Sequence, residues 1–258
     1  MSSRDNLNNI FLKMMTRQAY CLAVILSMSL FFTQACDSES VNDSTNNADE
    51  SPMAGEQQAM PIADCIGPEG IIDHGSVQAV TEVTECVTCE GSPAPDFKLR
   101  DVNPTSCGIN QFYGLDAFQG QVTFVVLLRS TCGYCMAQLE KLEQMRYELL
   151  VMGLELYMIV INERGTQEQV DNLTQRAQIP IFQDVEEVMA WEAFSSTDPN
   201  DDMSRVGGDK DDMYIYDRQG NLWRFLDDDN PMHKLTLSDE EGYNYLKNIL
   251  VTAINEAP

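Results

Sequence analysis

Basic residues are scarce in this sequence: 16 Lys and Arg stand against 41 Asp and Glu, a net charge of −25. No Lys or Arg occurs between Arg17 and Lys98. A field of that sign repels phosphate backbones and anionic lipid surfaces, which excludes nucleic-acid binding. The acidic excess itself reads as a solubility device rather than a site for a cationic partner. Long hydrophobic runs are also missing. The run Cys21 to Phe32 covers only twelve residues, too few to span a bilayer permanently. Histidine is limited to His74 and His233, and Met136 and Glu90 stand where a CxxCH haem-attachment motif needs His. No internal repeat is present.

What is there begins with an export signal. Arg4, Lys13 and Arg17 precede the apolar run, and Thr33-Gln34-Ala35-Cys36 follows it. Met14 and Met15 offer alternative starts. Ala35 before Cys36 resembles the lipobox of bacterial lipoproteins, with Thr33 where that motif usually has Leu. The resemblance implies acylation of Cys36 and a lipid anchor in the cell envelope, on a periplasmic or outer-membrane face. Residues 37–60 are polar and lack aromatics, so they read as a disordered acidic linker. Residues 61–94 hold three cysteines among Gly, Pro and acidic positions and read as a small collar, not an independent domain.

If Cys21 leaves with the signal and Cys36 carries lipid, six cysteines remain: Cys65, Cys86, Cys89, Cys107, Cys132 and Cys135. An even number in an oxidising compartment suggests disulfides or redox dithiols. For Cys65, Cys86, Cys89 and Cys107 three pairings are open. Structural bonding is one use of them, and a second redox pair at Cys86 and Cys89 another. A metal site with His74 fits an oxidising compartment poorly, and neither metal nor cofactor is expected.

Residues 95–258 have the texture of a folded domain. Val122 to Leu128 is almost wholly apolar, as in a central strand covered on both faces. Ser130 and Thr131 are placed to cap a helix in which Leu139, Leu142, Met145, Leu149 and Met152 recur at helical spacing before Gly153. Leu154 to Ile161 reads as a second strand, residues 166–177 as polar and helix-permissive, Ile179 to Phe182 as a short extended piece, and residues 185–194 as a helix. Residues 195–210 read as a surface insertion. Met213 to Tyr216 and Asn221 to Phe225 flank a hairpin turn, and Ser238 opens a closing helix. The order predicts an α/β thioredoxin-like fold, a central mixed sheet flanked by helices.

The chemistry centres on Cys132-Gly133-Tyr134-Cys135. Dithiol exchange needs one accessible thiolate and a second sulfur within closing reach. Two intervening residues at a helix start supply both, because the first Cys meets unpaired N–H groups and the second lies one turn in. Cys132 is read as the nucleophile, Cys135 as the resolving thiol, and Tyr134 as shaping the groove beside the sulfur. CxxC is common; CxxC directly between an apolar strand and an amphipathic helix is far more specific.

The stretch Gly120 to Cys135, then Lys141-Leu-Glu143, Ile179-Pro-Ile181 and above all Gly208-Asp-Lys-Asp-Asp-Met-Tyr-Ile-Tyr-Asp-Arg-Gln-Gly220, resembles the N-terminal domain of selenoprotein P. In that family the first redox position is commonly selenocysteine; the matching residue here is Cys132. The resemblance implies a thioredoxin fold and reduction of disulfides or peroxide. Nothing in the sequence resembles the family's selenocysteine-rich tail. Many thioredoxins keep a buried carboxylate on the central strand six residues before the first Cys, where this chain has Val126. They also place a cis-Pro before the strand facing the dithiol, a position that falls at about Asp211. The reading is a membrane-tethered thiol–disulfide oxidoreductase whose partners are exported proteins with disulfides or an upstream dithiol donor. A peroxide-reducing redoxin and a copper-binding or adaptor module using His233 are the alternatives.

Overall fold

The computed structural model describes residues 65–80, 86–198 and 201–258, with side chains of 197–205 left aside. The proposed signal, Cys36 and the linker therefore lie outside the described residues. The described chain belongs to one compact unit, Ala59–Pro258.

Among the described residues, nine strands and four α-helices follow in order. They are β1 (Leu99–Asp101), β2 (Phe112–Tyr113), β3 (Thr123–Leu128), α1 (Gly133–Val151), β4 (Tyr157–Asn162), α2 (Asp171–Thr174), β5 (Ile181–Gln183), α3 (Ala190–Ala193), β6 (Ser196–Asp198), β7 (Asp201–Val206), β8 (Met213–Tyr216), β9 (Leu222–Leu226) and α4 (Glu240–Glu256). Seven strands form one mixed sheet, β2-β1-β5-β4-β3-β8-β9, while β6 and β7 pair separately. β3 is parallel to β4 and antiparallel to β8, so the β3–α1–β4 crossover and the β8–β9 hairpin with α4 share a central strand. That is the thioredoxin-like plan.

All six residues of β3 are buried, which explains its unbroken apolar sequence. Phe124, Val126 and Leu128 face a cluster with Leu139, Leu142, Leu149 and the α4 residues Leu246 and Leu250. Val125 and Leu127 face a second, aromatic cluster containing Phe97, Phe182, Phe194 and Tyr214. Tyr113 and Phe182 meet edge to face there, with ring centroids 4.8 Å apart. Trp191 and Met213 are buried as well.

β1 and β2 are too short to show periodicity in sequence. The buried Asp101 carboxylate organises them: it accepts from the Asn103 and Ile181 N–H groups and the Ser106 and Tyr113 hydroxyls. Burial raises the Asp101 proton affinity, and these four donors oppose that rise.

The collar is joined to the sheet rather than set apart from it. Gln78 bridges Lys98, Pro93 bridges Asn221, and Ile66 bridges Ser106. Of the open pairings, the structure forms Cys65–Cys107 and Cys86–Cys89, with sequence separations of 42 and 3. Loop-closure entropy assigns about 4 kcal/mol to the long closure and about 2 kcal/mol to the short one. Replacing Cys65 and Cys107 with Ala is therefore expected to lower the urea-unfolding free energy by about twice as much as replacing Cys86 and Cys89. Equal losses would contradict the entropic assignment.

Four sequence expectations are corrected or extended. The helix-permissive stretch 166–177 forms only a 3-10 turn at Gln167–Gln169 followed by the single turn α2. The helix expected over 185–194 shrinks to α3, because Met189 turns left-handed (φ 52°) and the Asp184 carboxylate takes the N–H groups of Val185, Ala190 and Trp191. The surface insertion contains the β6–β7 hairpin. The cap of α4 is Asp239, which accepts the Gly242 N–H at 2.7 Å, rather than Ser238.

Candidate active site

The dithiol sits where β3 gives way to α1. The residue in the N-cap position is Cys132, not Ser130 or Thr131: its Sγ accepts the Cys135 N–H at 3.2 Å. Ser130 is drawn elsewhere, its hydroxyl donating to the Thr166 carbonyl and its N–H to the Asn162 side chain. Thr131 is exposed next to the sulfur. Cys132 thus lies at the unpaired N–H groups and positive end of a 19-residue helix.

The two sulfurs differ sharply in access. Cys132 is half-buried, Gly133 and Tyr134 are exposed, and Cys135 is fully buried; both cysteines are free thiols. Burial pushes the Cys135 thiol well up, and its hydrogen bond to Cys132 and the Asp211 charge push the same way. A reachable sulfur at a helix N-cap and a shielded thiol one turn in form the asymmetric pair that exchange requires.

Asp211 closes the site from the opposite side. It immediately precedes the approach to β8, is buried, and adopts a left-handed backbone (φ 72°). Its N–H donates to the Leu127 carbonyl at 2.8 Å, and the Leu127 N–H returns to the Asp212 carbonyl at 3.1 Å. Those two bonds hold its carboxylate over α1, where Oδ2 lies 3.9 Å from the Cys135 Sγ. The Lys210 ammonium is 2.5 Å from the same oxygen and 5.6 Å from the centroid of the Tyr134 ring. The Tyr134 hydroxyl reaches Thr236 at 3.4 Å, and Gln138 clamps that loop through the Leu235 carbonyl and the Leu237 N–H.

Arg129 and Lys210 escaped the sequence reading as site residues. Arg129 follows β3 directly and forms a two-pronged ion pair with Glu163, the chief reason its guanidinium holds its proton more tightly; charge on the cysteines adds to it. Lys210 likewise gains proton affinity, first from Asp211 and then from the cysteine sulfurs. Both line a cleft of about 470 Å³, together with Glu163, Trp191, Asp212 and Asp228. The signal for them was present: Arg129 lies next to the CxxC strand end, and Lys210 within the Lys-Asp-Asp motif.

The remaining candidates lie elsewhere. Cys89 is exposed, Cys86 is half-buried, and both are held in their own short disulfide. His233 Nδ1 accepts the Asp227 N–H at 2.9 Å within the loop after β9, so that ring braces a turn. Among the described residues, no group of three or more His, Cys, Asp or Glu is arranged to hold a metal ion.

A family model described as the N-terminal region of selenoprotein P matches residues 91–227, more than half of the chain. The chain belongs to that family. The selenoprotein P match takes in Arg129, Cys132, Cys135, Lys210 and Asp211, while Cys65, Cys86, Cys89 and α4 fall outside it. Selenoprotein Pa of Danio rerio is 28% identical over 152 residues, covering 57% of this chain and 34% of the relative. Selenoprotein P of Mus musculus is 26% identical over 153 residues, covering 59% and 34%. The chain thus spans about a third of the length of these curated relatives. Solved structures with a similar backbone include a putative protein disulfide isomerase of Bacteroides thetaiotaomicron, at 17% identity and a TM-score of 0.46, covering 66% of this chain and 92% of that one. Another is a putative thiol:disulfide interchange protein DsbE of Chlorobium tepidum, at 17% identity and a TM-score of 0.45, covering 64% and 98%.

Proposed function

We propose that this protein is an exported thiol–disulfide oxidoreductase that works through Cys132 and Cys135. Its substrates are disulfides of exported proteins, and its electrons come from an upstream dithiol. The observation that carries this reading is the N-cap geometry: an accessible Cys132 sulfur bonded to the N–H of a buried Cys135. Cys132 attacks a substrate disulfide, forming a mixed disulfide and releasing one substrate thiolate. Cys135 then attacks Cys132, which frees the second substrate sulfur and leaves the protein oxidised. Export is supported by the two disulfides Cys65–Cys107 and Cys86–Cys89, which persist in an oxidising compartment. A lipid on Cys36 would keep the domain at the membrane through the acidic linker.

The reduced protein is expected to accelerate the reduction of insulin disulfides by dithiothreitol while leaving the consumption of hydrogen peroxide near background. Turnover of peroxide without insulin reduction would shift the reading to a redoxin. Stoichiometric Cu(I) binding without either activity would make it a carrier.

A further inference from the structure

One proton in this exchange needs an acceptor. Cys135 must lose its proton before it attacks the mixed disulfide, and the position on β3 that could hold a carboxylate is the apolar Val126. We propose that Asp211 takes that proton, so that the carboxylate missing from β3 is delivered from the loop before β8. The inference rests on the dithiol reading given above.

Three features converge on this one side chain. Among the described residues, Asp211 supplies the carboxylate within hydrogen-bond reach of Cys135, 3.9 Å from Sγ. Its other oxygen, Oδ1, is buried without a hydrogen-bond partner, a costly state for a carboxylate that serves packing alone. Its backbone is held at φ 72°, in a region that disfavours most side chains and tolerates Asp, Asn and Gly. Lys210, partly exposed, provides the compensating positive charge at 2.5 Å. A buried charge, an unpartnered oxygen and a strained backbone thus meet at the atom that must be deprotonated.

The steps balance as follows. The Cys132 thiolate displaces one sulfur of the substrate disulfide, which leaves as a thiolate. Asp211 accepts the proton of the Cys135 thiol and becomes a neutral acid. The Cys135 thiolate attacks the Cys132 sulfur, the mixed disulfide breaks, and the second substrate sulfur departs. The two departing thiolates gain protons from Asp211 and from solvent. Two electrons have moved from the protein dithiol to the substrate.

Asp211→Asn tests the assignment, because Asn keeps the shape and tolerates the same φ. Formation and resolution of the Cys132 mixed disulfide are followed separately by rapid mixing and acid quench, with a disulfide-bonded peptide as substrate. Resolution is expected to slow about 100-fold, against at most a few-fold change in formation. The deficit should shrink as pH rises and hydroxide substitutes for the carboxylate. A purely electrostatic neighbour gives the opposite sign: removing the negative charge beside Cys135 would make its thiolate more available and speed resolution. Unchanged or faster resolution therefore overturns the role of Asp211 and leaves the dithiol reading intact. If the wild-type chain forms no mixed disulfide at all, both readings fall together. Should Asp211→Asn fail to fold, Asp211→Gly, which suits the same backbone angle, carries the same comparison.

Discussion

Cys132→Ser is expected to bring disulfide reduction down to the uncatalysed background, whereas Cys135→Ser is expected to start one turnover and stop. The difference follows from where the sulfurs lie. Cys132 is reachable and N-caps α1, so no other free thiol among the described residues can begin the exchange. Cys135 is buried, so in the proposed exchange its task is internal. Without it, the mixed disulfide on Cys132 has no intramolecular nucleophile, because Cys65, Cys86, Cys89 and Cys107 are already bonded. Non-reducing mass spectrometry should show the Cys135→Ser chain carrying one substrate equivalent, released by dithiothreitol. Turnover by Cys132→Ser, or the absence of an adduct in Cys135→Ser, would contradict this division of labour.

Stability is expected to increase as pH is lowered from 8 to 5, the reverse of the usual behaviour of paired carboxylates. Asp212, next to the site, is the main cause. Burial raises its carboxyl from an ordinary 3.8 to about 7, with the negative charges of Asp227 and Asp209 adding and the N–H groups of Asp209 and Asp228 opposing. Between those two values the folded chain binds a proton that the unfolded chain has released, so unfolding becomes easier as pH rises through the window. At about 1.4 kcal/mol per pH unit, the ceiling is about 4 kcal/mol. Asp101, Asp184 and Asp228 are raised by burial in the same direction, and Glu148 is lowered by Lys247 in the other. Urea midpoints measured from pH 5 to pH 8 should fall, and Asp212→Ala should flatten most of that slope. A midpoint that rises with pH would show that Asp212 is charged and well compensated in the fold.

Part of this architecture could be read directly from the residues. A strand buried on both faces must be apolar throughout, so Val122 to Leu128 announced β3. The Leu and Met spacing after Cys135 announced α1, and Asp217 to Gly220 the β8–β9 turn. Other features depend on contacts that are distant in sequence. The helix expected from Val185 is undone because Asp184 spends its oxygens on three N–H groups ahead of it. β1 and β2 exist through the Asp101 network, which reaches Ile181 on the neighbouring strand β5, 80 positions away in sequence. At the site, the position of the dithiol was legible, yet its capping was not. Cys132 caps α1 with its own sulfur, so the neighbouring Ser130 is free to hold Thr166. The approach of Asp211 to Cys135 joins residues 76 positions apart, and local pattern carries no trace of it. Sequence counting placed Asp211 where a proline is usual; the fold turns that position into a carboxylate facing the Cys135 thiol.

The most direct test of the dithiol chemistry is a redox titration of the Cys132–Cys135 pair, read by thiol alkylation and mass spectrometry across graded dithiothreitol ratios. A reversible two-electron transition is predicted, in which both thiols vanish together and Cys132 becomes bonded to Cys135. If Cys132 is oxidised or modified alone while Cys135 stays a free thiol at every ratio, the pair is not an exchange site.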